Sequence, residues 1–224
     1  LTVAETLTVS GTGLAASPGA IRNIGGANTL SGAITLGAAT TIASDAGTLT
    51  LAGGVTGATF NLTFAGAGNT TISTTAISGI GTLTKNDAGT LTLSAANTFT
   101  GNLAVGDGVV EFGTVSNVGG AASNLGQGSA ITMSGGTLAL NRHTQTLGLL
   151  TITANSVFNF GGSGGTLSFG NSSAQAWSGT LTIANYNTSS NTLRFGTSAA
   201  SLTPGQLSLI RFADYGNVGG QIDS

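Results

Sequence analysis

The chain has no cysteine. That excludes disulfides and thiolate metal centres, so stability must come from hydrogen bonds and packing. Charge is almost as scarce. Asp, Glu, Lys and Arg make up 5% of the 224 residues, against about 25% in an ordinary globular domain. Five bases and seven acids give a net charge of −2. They form no basic patch to neutralise phosphates, so a nucleic-acid partner is not expected. No polybasic segment suits a membrane surface, and no apolar run reaches the roughly 18 residues of a spanning helix. Leu1–Ser10 has neither a basic nor a long apolar region and does not read as a signal peptide. A membrane barrel needs aromatic girdles. One Trp and two Tyr do not supply them, so membrane insertion is not expected. Two prolines exclude a collagen or a proline-rich linker. Glu, Lys, Arg, Gln and Met, the good helix formers, are nearly absent.

What remains favours strands. Hydrophobic residues are 40% and glycines number 38, and the polar complement is Thr, Ser and Asn. Thr suits strands; Asn, Ser and Gly suit turns. The tripeptide "GTL" begins at Gly47, Gly81, Gly89, Gly136, Gly165 and Gly179. At most of these an alternating segment follows, with Leu49/Leu51, Leu91/Leu93, Leu138/Leu140, Leu167/Phe169 and Leu181/Ile183 on one face. Ile34/Leu36, Phe60/Leu62/Phe64, Leu103/Val105 and Ile131/Met133 alternate in the same way. Period two is the pleat of a half-buried strand. The copies are unevenly spaced, which argues against propeller blades and suits a solenoid whose corners accept insertions. A sandwich is the rival architecture. The expected fold is all-β, a single-stranded parallel β-helix (β-solenoid), with a short C-terminal helix capping the last rung. At about 20–25 residues per rung, this gives roughly ten rungs.

The composition changes near Ala174, so residues 1–170 are read as the solenoid and 171–224 as a closing module. In "SLTPGQLSLIRF", Thr203 is an N-cap candidate, Pro204 stands at N1 and Gln206 completes a capping box. Leu202 and Leu207 occupy hydrophobic-staple positions. The expected helix runs from Pro204 to Phe212. The N-terminus shows no equivalent device. There "LTVAETLTVSG" sets Leu1, Val3, Leu7 and Val9 against Thr, Ala and Ser. Such an apolar strand either pairs within its own fold or adds to the sheet edge of another subunit.

One stretch carries a motif. "GTLTKNDAGTLTLSAANTFTGNLAV", 81–105, resembles the autotransporter-associated β-strand repeat, whose pattern is L-x-K-x-G-x-G-T-L-x-L-S-G-x-N-T-[YF]-T-G. Leu83, Lys85, Gly89, Thr90, Leu91, Leu93, Ser94, Asn97, Thr98, Phe99, Thr100 and Gly101 match it. Asp87 and Ala95 stand where glycine is usual. "GAIRNIGGANTLSGAITLG", 19–37, resembles a second element of such proteins, and the segment after Trp177 is similar to their closing segment. The resemblance implies a β-solenoid outside the cytoplasm, in a secreted or surface protein of a Gram-negative bacterium. It brings no catalytic or binding residues. Gly89, Leu91, Leu93, Asn97, Phe99 and Gly101 are taken as the structural repeat motif.

The chemically active residues are few. Asp107 and Glu111 are four apart, about 13 Å along one strand, too far for a glycosidase pair of about 5–10 Å. Lys85, the one lysine, either pairs with Asp87 across a corner or donates to a carbonyl. Arg142 and His143 form a cationic spot, and His143 is the one histidine. The Gly-rich run 161–169 lacks the Asp of a calcium-binding nonapeptide. No catalytic, cofactor-binding or metal-binding residue is assigned, and the chain is not expected to be an enzyme. The expected function is a structural extracellular subunit that self-assembles head-to-tail into a surface or matrix filament by strand addition, its partner being itself. The alternative is a monomeric adhesin or glycan-binding passenger module that uses Trp177, Tyr186 or Tyr215 on surface glycans or matrix. A remote alternative is a polysaccharide lyase or hydrolase.

Overall fold

The computed structural model describes residues 1–15, 17–113 and 128–215. The chain winds as a parallel β-solenoid. Its first face is a ten-stranded sheet. The strands are Thr2–Val3, Ala27–Leu30, Thr48–Leu51, Asn69–Ile72, Thr90–Leu93, Val109–Phe112, Thr137–Ala139, Ser156–Asn159, Leu181–Ala184 and Ile210–Phe212, stacked in that order. Each pairs in parallel with the next.

Two further faces close the coil. Ile34–Ser44 runs through a corner and serves both. Its first half lies between Leu7–Gly11 and Val55–Gly57, its second half between Ile21–Asn23 and Leu62–Ala65. From Leu62–Ala65 one face continues through Leu83–Lys85, Leu103–Val105, Ile131–Met133 and Leu150–Ile152. The other continues from Val55–Gly57 to Ile77–Ser78. Towards the C-terminus a three-stranded sheet of Thr144–Thr146, Thr166–Phe169 and Thr192–Phe195 closes the coil. A small antiparallel hairpin, Gly13–Leu14 with Ser17–Pro18, branches from an early corner.

The alternation seen in the sequence becomes columns. Leu30, Leu51, Ile72, Leu93 and Phe112 stand one above another in register. So do Leu62, Leu83, Leu103, Ile131 and Leu150. Apart from the half-buried Leu30, all of these are 0% exposed. Each such side chain contributes about 1.5–3 kcal/mol. Because neighbours along a column come from successive rungs, the core is a continuous rod. Phe158, Phe169 and Phe195 extend it as stacked rings, with centroids 5.5 and 5.3 Å apart.

Backbone bonding alone does not satisfy the corners. Side chains stand in for the missing carbonyls: Asn61 accepts from Thr82 N, Asn69 from Thr90 N, Asn97 from Ile77 N and Asn155 from Thr180 N. This explains the Asn content better than turn propensity does.

Two expectations are corrected. The helix covers Pro204–Leu207 only, because Ile210–Phe212 is claimed by parallel pairing with Leu181–Ile183. The helix therefore precedes the last strand instead of lying beyond it. Phe60 lies outside Leu62–Ala65 and is exposed at a corner. Within 171–224, the strands Leu181–Ala184, Thr192–Phe195 and Ile210–Phe212 extend sheets begun earlier in the chain.

One core position is out of character. Gln145 is 0% exposed and neither of its amide atoms has a hydrogen-bond partner among the described residues. It stands in register with Leu167 and Leu193. Burying an unsatisfied amide costs about 1–3 kcal/mol. Gln145→Leu, which continues the leucine column, is expected to raise stability by a similar amount. A lower urea midpoint in the variant would contradict this.

Candidate functional site

The repeat motif occupies one rung, and each of its residues has a stacking role. Leu91 and Leu93 point inward from Thr90–Leu93 and are 0% exposed. Asn97 is buried, accepts Ile77 N at 2.8 Å and donates to Ala95 O at 2.9 Å, tying its rung to the one before. Phe99 is 0% exposed and fills the turn that follows. Gly89 and Gly101 lie where the preceding rung passes too closely for a side chain. A Cβ on Gly89 would stand 2.0 Å from Gly68 O, and one on Gly101 would stand 1.4 Å from Gly81 O.

Lys85 lies inside this rung. Its register partners are Phe64 and Val105, so it occupies a core column, and it is 2% exposed. Its Nζ donates to Asn86 O and Asp87 O, each at 2.6 Å. Of the two readings, donation to a carbonyl is therefore the observed one. The Asp87 carboxylate instead accepts Gly66 N at 2.8 Å. Burial pushes the Lys85 ammonium below its ordinary pKa, and the Asp87 and Asp107 carboxylates partly oppose the shift. Asp87 has φ 62°. That is the left-handed region that glycine enters freely, which explains why the repeat pattern carries glycine there.

The other titratable groups do not converge. Asp107 lies at the corner before Val109–Phe112 and accepts its neighbour Gly108 N. Glu111 points outward and accepts from Thr92 Oγ1 and Asn141 Nδ2. Arg142 is at a corner with φ 68° and donates to Gly161 O, and His143 is half-buried beside it. Among the described residues no group of His, Asp and Glu is placed to hold a metal ion.

The aromatic candidates are already engaged. Trp177 bridges Ile152 in the core stack, donates Nε1 to Leu150 O at 3.0 Å and packs edge-on against Phe195. Tyr186 is wedged between Phe160 and Phe212, and its hydroxyl donates to Asn191 O. The side chain of Tyr215 lies outside the described residues. This leaves Trp177 and Tyr186 no free row on which a sugar could stack.

The two ends of the coil differ. Thr2–Val3 pairs only with Ala27–Leu30, and Leu7–Gly11 only with Ile34–Ser44, among the described residues. Val3, Leu7 and Val9 are half-buried, and Leu1 is 83% exposed and outside the strand. Leu1 therefore does not share the inward column expected of it. Towards the C-terminus, Thr203 and Gln206 form a reciprocal capping box. Gln206 Nε2 also donates to Ser172 O and Gln175 O, which anchors the helical turn across the preceding rung. Among the described residues, Ile210–Phe212 still pairs on one side only, with Leu181–Ala184.

Residues 83–112 match the family model described as the passenger-associated-transport-repeat. These residues span the rung described above and the two strands stacked on it, Leu103–Val105 and Val109–Phe112. No curated protein and no solved structure matches the chain significantly. The repeat and the solenoid fit a structural, passenger-like module and suggest a secreted or surface protein. No helix among the described residues is long and apolar enough to cross a membrane.

Proposed function

We propose that a chain with this passenger repeat is an extracellular structural subunit that joins head-to-tail by strand addition at its N-terminal rung. The observation carrying this is that, among the described residues, the first face ends in two edges paired on one side only, Thr2–Val3 and Ile210–Phe212. Both belong to one parallel sheet, so one subunit's last strand meets the next subunit's first strand in the sense the sheet already uses. Such a contact is heterologous and generates an open filament. A nearly neutral surface, net charge −2, opposes association only weakly.

Val3 and Leu7 are the residues to change, since their register partners Leu30 and Ile34 belong to the inward columns. A lysine at either position is tolerated in the single subunit, where the site is half-exposed. In the joint it would bury an unpaired ammonium. That costs on the order of 3–5 kcal/mol, more than roughly a hundredfold in association constant. Electron microscopy of the purified wild-type protein should show filaments, and Val3→Lys or Leu7→Lys should show single particles with an unchanged circular dichroism spectrum. Monodisperse wild-type particles at high concentration would overturn the proposal.

A further inference from the structure

The outer side of the first face carries a second pattern, independent of the ends. In Ala27–Leu30, Thr48–Leu51, Asn69–Ile72 and Thr90–Leu93, the outward positions are Ala27/Thr29, Thr48/Thr50, Asn69/Thr71 and Thr90/Thr92. Register is kept without a shift through all four strands. Each partner is 21 residues from the last, as in Ala27↔Thr48, Thr48↔Asn69 and Thr71↔Thr92. Within this block the outward residues form a two-column lattice with no charged member. Glu111, in register with Thr92, ends it.

The hydroxyls of Thr29, Thr48, Thr50, Thr71 and Thr90 bond to no other group of the described chain, whereas those of Thr40, Thr153, Thr180 and Thr203 are engaged internally. All five are half-exposed and no element covers them. Strand propensity accounts for threonine in general, but not for the unbroken outward column Thr29, Thr50, Thr71 and Thr92 with Thr48 and Thr90 beside it.

We propose that this lattice binds the surface of ice. Neighbouring strands set the columns' members about 4.8 Å apart, and residues i and i+2 on a parallel strand lie about 6.6 Å apart. These two repeats are close to the oxygen repeats of the prism face of ice. A rigid lattice of water is matched only by groups already in place, since a flexible partner loses the ordering entropy. Threonine meets this need, because β-branching stiffens χ1 and the backbone then fixes the hydroxyl. Its methyl group sheds water while its hydroxyl exchanges one water partner for another. A charged side chain would instead keep its own hydration shell, and the block has none.

The test is ice growth in the presence of the purified full chain. Thermal hysteresis and inhibition of ice recrystallisation are read by microscopy. The wild type is expected to show both. Thr50→Lys and Thr71→Lys, at the centre of the lattice, should lose both activities while keeping the wild-type spectrum and melting temperature. Thr132→Lys, on the outward side of Ile131–Met133, should retain them. Ice that grows with the wild type as it does in buffer overturns the proposal. Activity that survives Thr50→Lys and Thr71→Lys, or that falls equally in all three variants, also overturns it.

Discussion

Gly101→Ala is expected to cost more than about 4 kcal/mol, the range reached only when a substitution breaks a specific structural feature. The added Cβ would stand 1.4 Å from Gly81 O and 2.3 Å from Gly81 C. Both atoms are backbone, so no rotamer change relieves the clash. The rungs must separate, and the bonds that join them go with the separation. Gly81 N donates to Phe60 O on the rung before, and Leu83 N to Asn102 O on the rung after. Phe99, wholly buried two residues away, would lose its packing as well. Gly25→Ala is the control. No atom lies within 4 Å of its built Cβ, so the change should fall within about 1 kcal/mol. Urea unfolding followed by circular dichroism reads both. A loss at Gly101 no larger than at Gly25 would show that the rungs are not in close contact there.

That glycine also shows how much of the fold the sequence made legible. Period-two alternation located Leu91/Leu93, Leu103/Val105, Ile131/Met133 and Leu181/Ile183, and each pair faces inward. Alternation is a property of one strand and survives any partner. Pairing is not local. The offset between rung partners is 21 residues at Thr48↔Asn69, 19 at Thr90↔Val109 and 28 at Val109↔Thr137. Corner insertions set these offsets, and no single segment encodes them. The boundary of the helical turn was misjudged for the same reason, because Ile210–Phe212 answers to Leu181–Ala184 and not to its own propensity. Trp177 is a candidate sugar-stacking residue in the alternative reading of the sequence, yet register places it on Ile152. The repeat motif was legible as a motif, and donation by its lysine to a carbonyl was one of two readings of it, but its place in a core column was not. A cation in an alternating strand reads as solvent-facing until Phe64 and Val105 are seen on either side of it.

Lys85→Ala is expected to cost about 3–5 kcal/mol. Truncating a buried side chain of methionine size costs about 2–5 kcal/mol. Each charge-assisted hydrogen bond adds to that, here those to Asn86 O and Asp87 O. Lys85→Met should cost less, because it keeps the stem in the column between Phe64 and Val105. The two carbonyls it abandons lie at a part-buried corner, within reach of water. The two substitutions therefore separate packing from charge. The pH dependence separates them again. Burial holds the folded-state pKa of Lys85 below its unfolded value, which is about 10.4. Between those two values the unfolded chain binds more protons than the folded one, so stability rises with pH across that window. Below it the cost of burying the ammonium is present in full. Urea midpoints taken from neutral pH to about 10.4 should therefore move in favour of the wild type relative to Lys85→Met. The opposite slope, or a constant difference, would mean that the ammonium is not desolvated in the rung. It would then belong to the surface and not to the column between Phe64 and Val105.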